Sequence, residues 1–363
     1  MVKAKSMHTE VLAIDPVHPD PSTIERAAAL LRAGEVVVFP TETVYGLGAA
    51  ALQTGAVERI FAAKGRPFND PLIVHIAEED ALEQLTSSIP GRAKLLARAF
   101  WPGPLTLILP RSPLVPKLVT AGLETVAVRM PRHPVALALI RVAASPIAAP
   151  SANRFMHVSP TTAQHALADL RGRVPLILDG GPCEVGVEST VLDLCSTMPT
   201  ILRPGGVSLE ALRAVLPDVQ PPSQSGDAAP TVPQQSPGQL LTHYAPAVPL
   251  LLFDGSIEAM RAAMLAEVRR RLEQGERVGV LVADEDIAAF RDSGVVVRTL
   301  GNAAAPEQVA AALFASLRAL EEADVQVILS RSFDEHGLGL AIHDRLLKAA
   351  GGNVFRPPSG RQE

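Results

Sequence analysis

At 363 residues the chain exceeds one typical domain and suits two. Apolar residues make up 47% and charged residues 20%, a balance that predicts packed cores and excludes a disordered chain. The net charge of −5 excludes the global basic field of a protein built mainly to grip nucleic acid. Cys183 and Cys195 are the only cysteines, too few for a disulfide framework or a thiolate zinc set, and they predict two unpaired buried thiols in a reducing compartment. Residues 1–16 lack the long apolar core of a signal peptide, and no run of 18 apolar residues escapes a charge or a proline. The expectation is a cytoplasmic protein without membrane contact.

In chain order, segments 35–39, 72–76, 105–109, 125–130, 147–149, 176–179 and 190–194 are short, apolar and β-branched, bounded by Gly and Pro, and read as strands. Segments 24–33, 56–64, 93–100, 134–142 and 162–170 carry helical spacing between them. Residues 217–238 hold six prolines and no Leu, Ile, Met or aromatic residue, which predicts an extended linker. Beyond it, strands at 250–253, 277–282, 295–300 and 325–329 alternate with helices at 257–274 and 307–323, the pattern of a doubly wound parallel sheet. The expected organisation is a first domain at 1–216, a linker at 217–245 and a smaller Rossmann-like domain at 246–363.

Four clusters of the first domain carry candidate chemistry. PTETVYGLG, residues 40–48, follows a strand and places hydroxyls beside glycines, as a ligand-approached loop or an ordinary turn would. In AKGRPFNDPLIVH, residues 63–75, Lys64 and Arg66 either complement a helix dipole or meet a polyphosphate. In APSANRFMHVSPTTA, residues 149–163, Ser159-Pro160 has the form of a helix N-cap followed by a first-turn proline, which is also a ready anion site. GVESTVLDL and ILRPGG, at 186–194 and 201–206, bring Arg203 before a stiff turn, and Arg129 closes the apolar strand end TVAVRMP. An arginine in that position either snorkels to water or recognises a carboxylate. Between Arg92 and Arg132 seven cations face one acid, Glu124, which suits a solvated face or, second, a modest RNA-facing patch.

No Walker loop, nucleophile elbow, His-Glu-x-x-His or aspartate-rich metal pair occurs. The inventory favours a reaction that depends on positioning and charge stabilisation.

Taken together, PTETVYGLG, KGRP…PLIVH, WPGPLT, TVAVRMP, APSAN…SPT, GVEST, LRPGG and SPG…HYAP resemble, in order and spacing, the two-domain form of the threonylcarbamoyl-AMP synthase family. The resemblance implies an α/β fold: a twisted mixed sheet with a large cavity in the first domain, plus a smaller doubly wound parallel-sheet second domain. It implies that L-threonine, bicarbonate and ATP, with Mg2+, give threonylcarbamoyl-AMP and pyrophosphate. A separate transferase then carries the group to tRNA, which this chain meets only indirectly or weakly. Residue by residue, threonine falls to Thr43, His75, Arg129, the Ala149 backbone and Ser189. ATP falls to Lys64, Arg66, Asp70, Thr125, Ser151, Asn153, Ser159, Arg203 and Tyr244, with Lys64 and Arg66 acting in catalysis and no protein metal ligand.

Two departures stand out: Asp70 replaces a common Asn, and Gln239-Leu240-Leu241-Thr242 replaces a stretch that commonly carries Lys or Arg and a Tyr. His243 and Tyr244 are expected either to return with the linker as a lid over the first domain or simply to begin the second. A hydrogenase-maturation carbamoyltransferase would need zinc-finger cysteines that are missing. A non-enzymatic RNA-binding protein of the same fold is the rival of another class.

Overall fold

The β-branched runs pair into two separate sheets in a computed structural model, which describes residues 7–222, 234–238 and 244–357. The chain divides into Met1–Phe155 with Ser159–Gln239, and Met156–Val158 with Leu240–Glu363.

The first unit holds β1 (Glu10–Ala13), β2 (Val37–Phe39), β3 (Gly46–Ala50), β4 (Ile73–His75), β5 (Leu105–Pro110), β6 (Thr125–Arg129), β7 (Ile147–Ala148), β8 (Leu176–Asp179), β9 (Thr190–Asp193) and β10 (Thr200–Arg203). They form one mixed sheet in the order β1-β8-β2-β3-β7-β4-β6-β5-β9-β10. β4 runs parallel to β6, with His75 opposite Arg129, while β5 runs antiparallel to β6 and sets Thr106 opposite Arg129. Three strands therefore deliver polar side chains to one level of an otherwise apolar sheet.

Local chemistry explains the elements beside this level. Asp20 caps the helix Pro21–Arg32 by accepting from the Thr23 N–H, with Pro21 pre-setting the first turn. Ile24, Ala27, Ala28 and Leu31 then form its buried stripe. Helix Thr54–Lys64 stops because Gly65 takes the left-handed conformation, φ 66°, and turns the chain back. β3 was not expected from its GLGAA sequence, whose residues have weak strand propensity. Packing explains it: a Cβ at Gly48 would lie 2.7 Å from both Ile147 Cγ2 and Phe39 Cε1, so only glycine lets β2, β3 and β7 close together.

The described ends of the proline-rich segment pack inside the first unit. Ile201 N–H donates to Gln220 O at 3.0 Å, and Gln234 N–H donates to Asn69 O at 3.0 Å. Composition alone suggests a solvated tether there, yet Val219, Gln234 and Ser236 are buried.

The second unit contains β11 (Leu250–Phe253), β12 (Val278–Val282), β13 (Val296–Thr299), β14 (Val327–Arg331) and β15 (Val354–Phe355), all parallel, in the order β13-β12-β14-β11-β15. Helices Ile257–Glu273, Pro306–Glu322 and Gly339–Ala349 supply crossovers. A cleft of about 490 Å³, lined by Phe333, Asp334, His336 and Ala303 among others, opens beyond the carboxyl ends of β13 and β14. Such edges of parallel sheets are where ligand crevices form. Cys183 is buried as expected, but Cys195 is exposed, so the expectation of two buried thiols holds for one only; neither is bonded to another sulfur. No helix among the described residues is long and apolar enough to cross a membrane.

Candidate active site

The Lys-Gly-Arg-Pro turn folds two cations inward. Lys64, the last helical residue, is 3% exposed, and its Nζ donates to Ser151 O at 2.6 Å and Asn153 O at 2.5 Å. Burial first, then the Arg66 charge, holds the amine well below the usual lysine range. The turn at Gly65 lets Arg66 reach back along its own loop, donating to Pro71 O at 2.7 Å and Asp70 O at 3.1 Å. Its guanidinium also pairs with the Asp70 carboxylate at 2.8 Å. Burial pushes Asp70 up from the usual carboxylate range, against the pull of Arg66, Lys64 and Arg203.

A second group gathers where β4 and β6 end. Arg129 donates to Thr43 Oγ1 at 2.9 Å and Gly103 O at 3.2 Å, and pairs with Glu42 Oε1 at 2.7 Å. All three side chains are buried. His75 lies level with Arg129, edge-on to Phe39 with ring centroids 6.3 Å apart. Burial, reinforced by the Arg129 charge, lowers its pKa to about 3, so the imidazole is neutral at physiological pH.

The third group is built by two motifs knitted together. Gly206 N–H donates to Glu188 O, and Thr190 Oγ1 bridges the Val207 backbone, donating to its oxygen at 2.6 Å and accepting from its N–H at 3.0 Å. A Cβ at Gly205 would lie 2.3 Å from Glu188 O and 2.4 Å from Thr190 N, so LRPGG lies against GVEST only with glycine there. This contact sets Arg203 on Ser189, donating to its carbonyl at 2.8 Å and its hydroxyl at 3.2 Å, and on Pro237 O at 3.4 Å. Ser189 Oγ also meets Thr106 Oγ1 at 2.8 Å.

Of the expected site residues, Thr43, His75, Arg129 and Ser189 fall at one level of the sheet, with Ala149 held to β4 by its N–H on Ile73 O. Lys64, Ser151 and Asn153 form one hydrogen-bonded knot, and Arg66 with Asp70 another. Thr125 begins β6, at the opposite end from Arg129. Tyr244 packs in the second unit, stacked on Phe314 with centroids 5.6 Å apart and under the Arg345 guanidinium at 4.9 Å. His243 lies outside the described residues.

Ser159 does not cap its helix. Thr162 does, accepting from His165 N–H, because the helix begins at Ala163. The Ser159 hydroxyl instead donates to Glu188 Oε1 at 2.5 Å. The basic run from Arg92 is tied down in part: Arg92 donates to the Leu194 and Ser196 carbonyls, Arg111 to the Leu123 and Val115 carbonyls, and Arg129 is buried, while Lys94, Arg98, Lys117 and Arg132 are exposed. Its solvated-face reading therefore applies only in part.

Buried acids were missed. Glu42 and Glu188 are 3% and 5% exposed inside motifs scanned for cations and hydroxyls. The available signal was an acid set within an apolar and hydroxylic run. Among the described residues, no group of three or more His, Cys, Asp or Glu could hold a metal ion.

Fold and site together define a two-unit α/β protein whose first unit buries three guanidinium groups and a lysine amine, donors that a site for anionic ligands requires. The family model described as telomere recombination matches residues 29–205, and that described as the threonylcarbamoyl-AMP synthase C-terminal domain matches residues 207–351. The chain belongs to the threonylcarbamoyl-AMP synthase family. It is 49% identical to the Bacillus subtilis threonylcarbamoyl-AMP synthase over 344 residues, which cover 94% of this chain and 97% of that protein. The corresponding values for the Pyrococcus abyssi enzyme are 44%, 92% and 95%. The structure of P. abyssi Sua5 complexed with L-threonine superposes with a TM-score of 0.89 at 42% identity, covering 96% of this chain and 99% of that one.

Proposed function

We propose that the chain condenses L-threonine, bicarbonate and ATP to threonylcarbamoyl-AMP and pyrophosphate, in the cytoplasm, for a separate transferase that modifies tRNA. The observation that carries this reading is the arrangement of buried cations: Arg129 with neutral His75 at one level of the sheet, and Lys64, Arg66 and Arg203 in the knots beside it. Arg129 takes the threonine carboxylate in a fork geometry, with Thr43, His75, Ser189 and the Ala149 backbone around the amino acid. Lys64, Arg66 and Arg203 take the polyphosphate, assisted by Ser151, Asn153, Ser159 and Thr125.

The threonine nitrogen forms a bond to the bicarbonate-derived carbon. A carbamate oxygen then attacks the α-phosphorus as the bond to the bridging oxygen breaks, and pyrophosphate leaves with both electrons. The protein's part is positioning and spreading the charge that develops on the leaving group. Paired with Arg66, Asp70 is less repulsive to phosphate than a free carboxylate would be. Mg2+ arriving with ATP would supply further charge neutralisation on the phosphates.

The test is omission. Pyrophosphate release by the pure protein is expected to require both threonine and bicarbonate, because the carbamate is the nucleophile. Equal release with either one left out would refute this mechanism. Salt-sensitive tRNA binding without ATP turnover would favour the RNA-binding rival.

A further inference from the structure

Glu42 has a burial and an orientation that the roles assigned so far leave unused. Its Oε1 is 2.7 Å from the Arg129 guanidinium, and among the described residues no further donor reaches either carboxylate oxygen. The other charged or titratable groups facing it are His133, at the start of helix Pro134–Ala143, and the thiol of Cys183, from the loop before β9. Burial lowers His133 and raises Cys183, so both favour their neutral forms. Arg129 is meanwhile fixed by Thr43 and Gly103 from two other segments. The result is a rigid pair of opposite charges, in which a buried carboxylate lacks the donors that such groups ordinarily have.

An α-amino acid zwitterion is the complement of such a pair, since its carboxylate and ammonium sit one carbon apart. Resting on the reading that Arg129 takes the threonine carboxylate, we infer that Glu42 holds the α-ammonium and accepts its proton. The balance is simple. Threonine ammonium and bicarbonate give the carbamate, one water and one proton. The nitrogen lone pair freed by Glu42 forms the N–C bond, and the proton resides on the Glu42 carboxyl. A buried acceptor supplies the free amine that attack requires, so this carboxylate selects α-amino acids and also activates them.

The experiment compares L-threonine with its 2-hydroxy analogue, which keeps the carboxylate and methyl but has no ammonium, by calorimetric titration. Wild type is expected to prefer threonine by roughly 10- to 150-fold, the scale of a hydrogen bond to a charged group. Glu42→Gln is expected to bind the two alike. Its kcat should fall about 10²- to 10⁴-fold, the range of general-base catalysis. The Gln variant should gain rate toward alkaline pH, where threonine is already a free amine.

Glu42→Asp, which keeps the charge, should restore the preference for threonine. It carries the measurement if the Gln variant does not fold, as judged by circular dichroism and ATP binding. Undiminished preference for threonine in Glu42→Gln would overturn the proposal, as would an unchanged pH profile. In Glu42→Asp, equal weakening of threonine and the analogue would overturn it too. The parent reading fails separately, if Arg129→Ala still binds the analogue as wild type does.

Discussion

Lys64→Ala is expected to cost about 2–4 kcal/mol of transition-state stabilisation, roughly 30- to 1000-fold in kcat/KM for pyrophosphate release. Its Nζ is held by two backbone carbonyls, Ser151 O and Asn153 O, in a site nearly closed to water. A donor fixed in this way needs no reorganisation as negative charge builds on the departing pyrophosphate. Arg66→Ala should act on the same scale, because the guanidinium is equally preorganised by Pro71 O and Asp70. Truncating Lys64 also leaves two buried acceptors without their donor, so a loss of about 1–3 kcal/mol in stability accompanies the kinetic loss. Thermal melts must therefore be run beside the assay. Near wild-type kcat/KM in both folded variants would reduce these residues to helix-end counter-charges.

Arg129→Ala is expected to weaken threonine by about 2–5 kcal/mol, the cost of truncating one partner of a buried charge pair. It should weaken serine alike, because the two amino acids share the carboxylate that we assign to Arg129. Preference for threonine over serine rests on the methyl group, about 1–3 kcal/mol or roughly 10- to 200-fold, and should survive the substitution. The same change strands Glu42 in the interior, so the folded state should lose about 3–5 kcal/mol. Arg129→Lys separates the two effects. It keeps a cation near Glu42 but loses the planar fork, so stability should recover more than affinity. Lost discrimination with retained affinity would contradict the role given to Arg129.

Much of this was legible from the residues alone, for physical reasons that differ from place to place. Strands such as Thr125–Arg129 and Leu176–Asp179 announce themselves because β-branched apolar runs fit few other environments. GLGAA hides its strand, since the need for glycine comes from Phe39 and Ile147, which are distant in sequence. Thr200–Arg203 hides because it reads as the start of a Pro-Gly turn, although β9 holds it in a ladder.

The buried cations stand out because phosphate and carboxylate ligands demand such groups, and Asp70 came with them. Glu42 and Glu188 did not: Glu42 meets Arg129, and Glu188 meets the Ser159 hydroxyl, only once the sheet order is set. Ser159 was misjudged as a cap because SPTT offers several hydroxyls in a row. Which one caps depends on where the helix starts, and tertiary packing decides that.

A crystal structure with L-threonine and a non-hydrolysable ATP analogue tests most directly whether one buried array in the first unit receives both substrates. The predicted result has the threonine carboxylate on Arg129 and its nitrogen turned toward Glu42. The polyphosphate lies on Lys64, Arg66 and Arg203, with the α-phosphorus within reach of the amino acid. Threonine bound away from Arg129, or a polyphosphate that leaves Lys64 and Arg203 untouched, would contradict it.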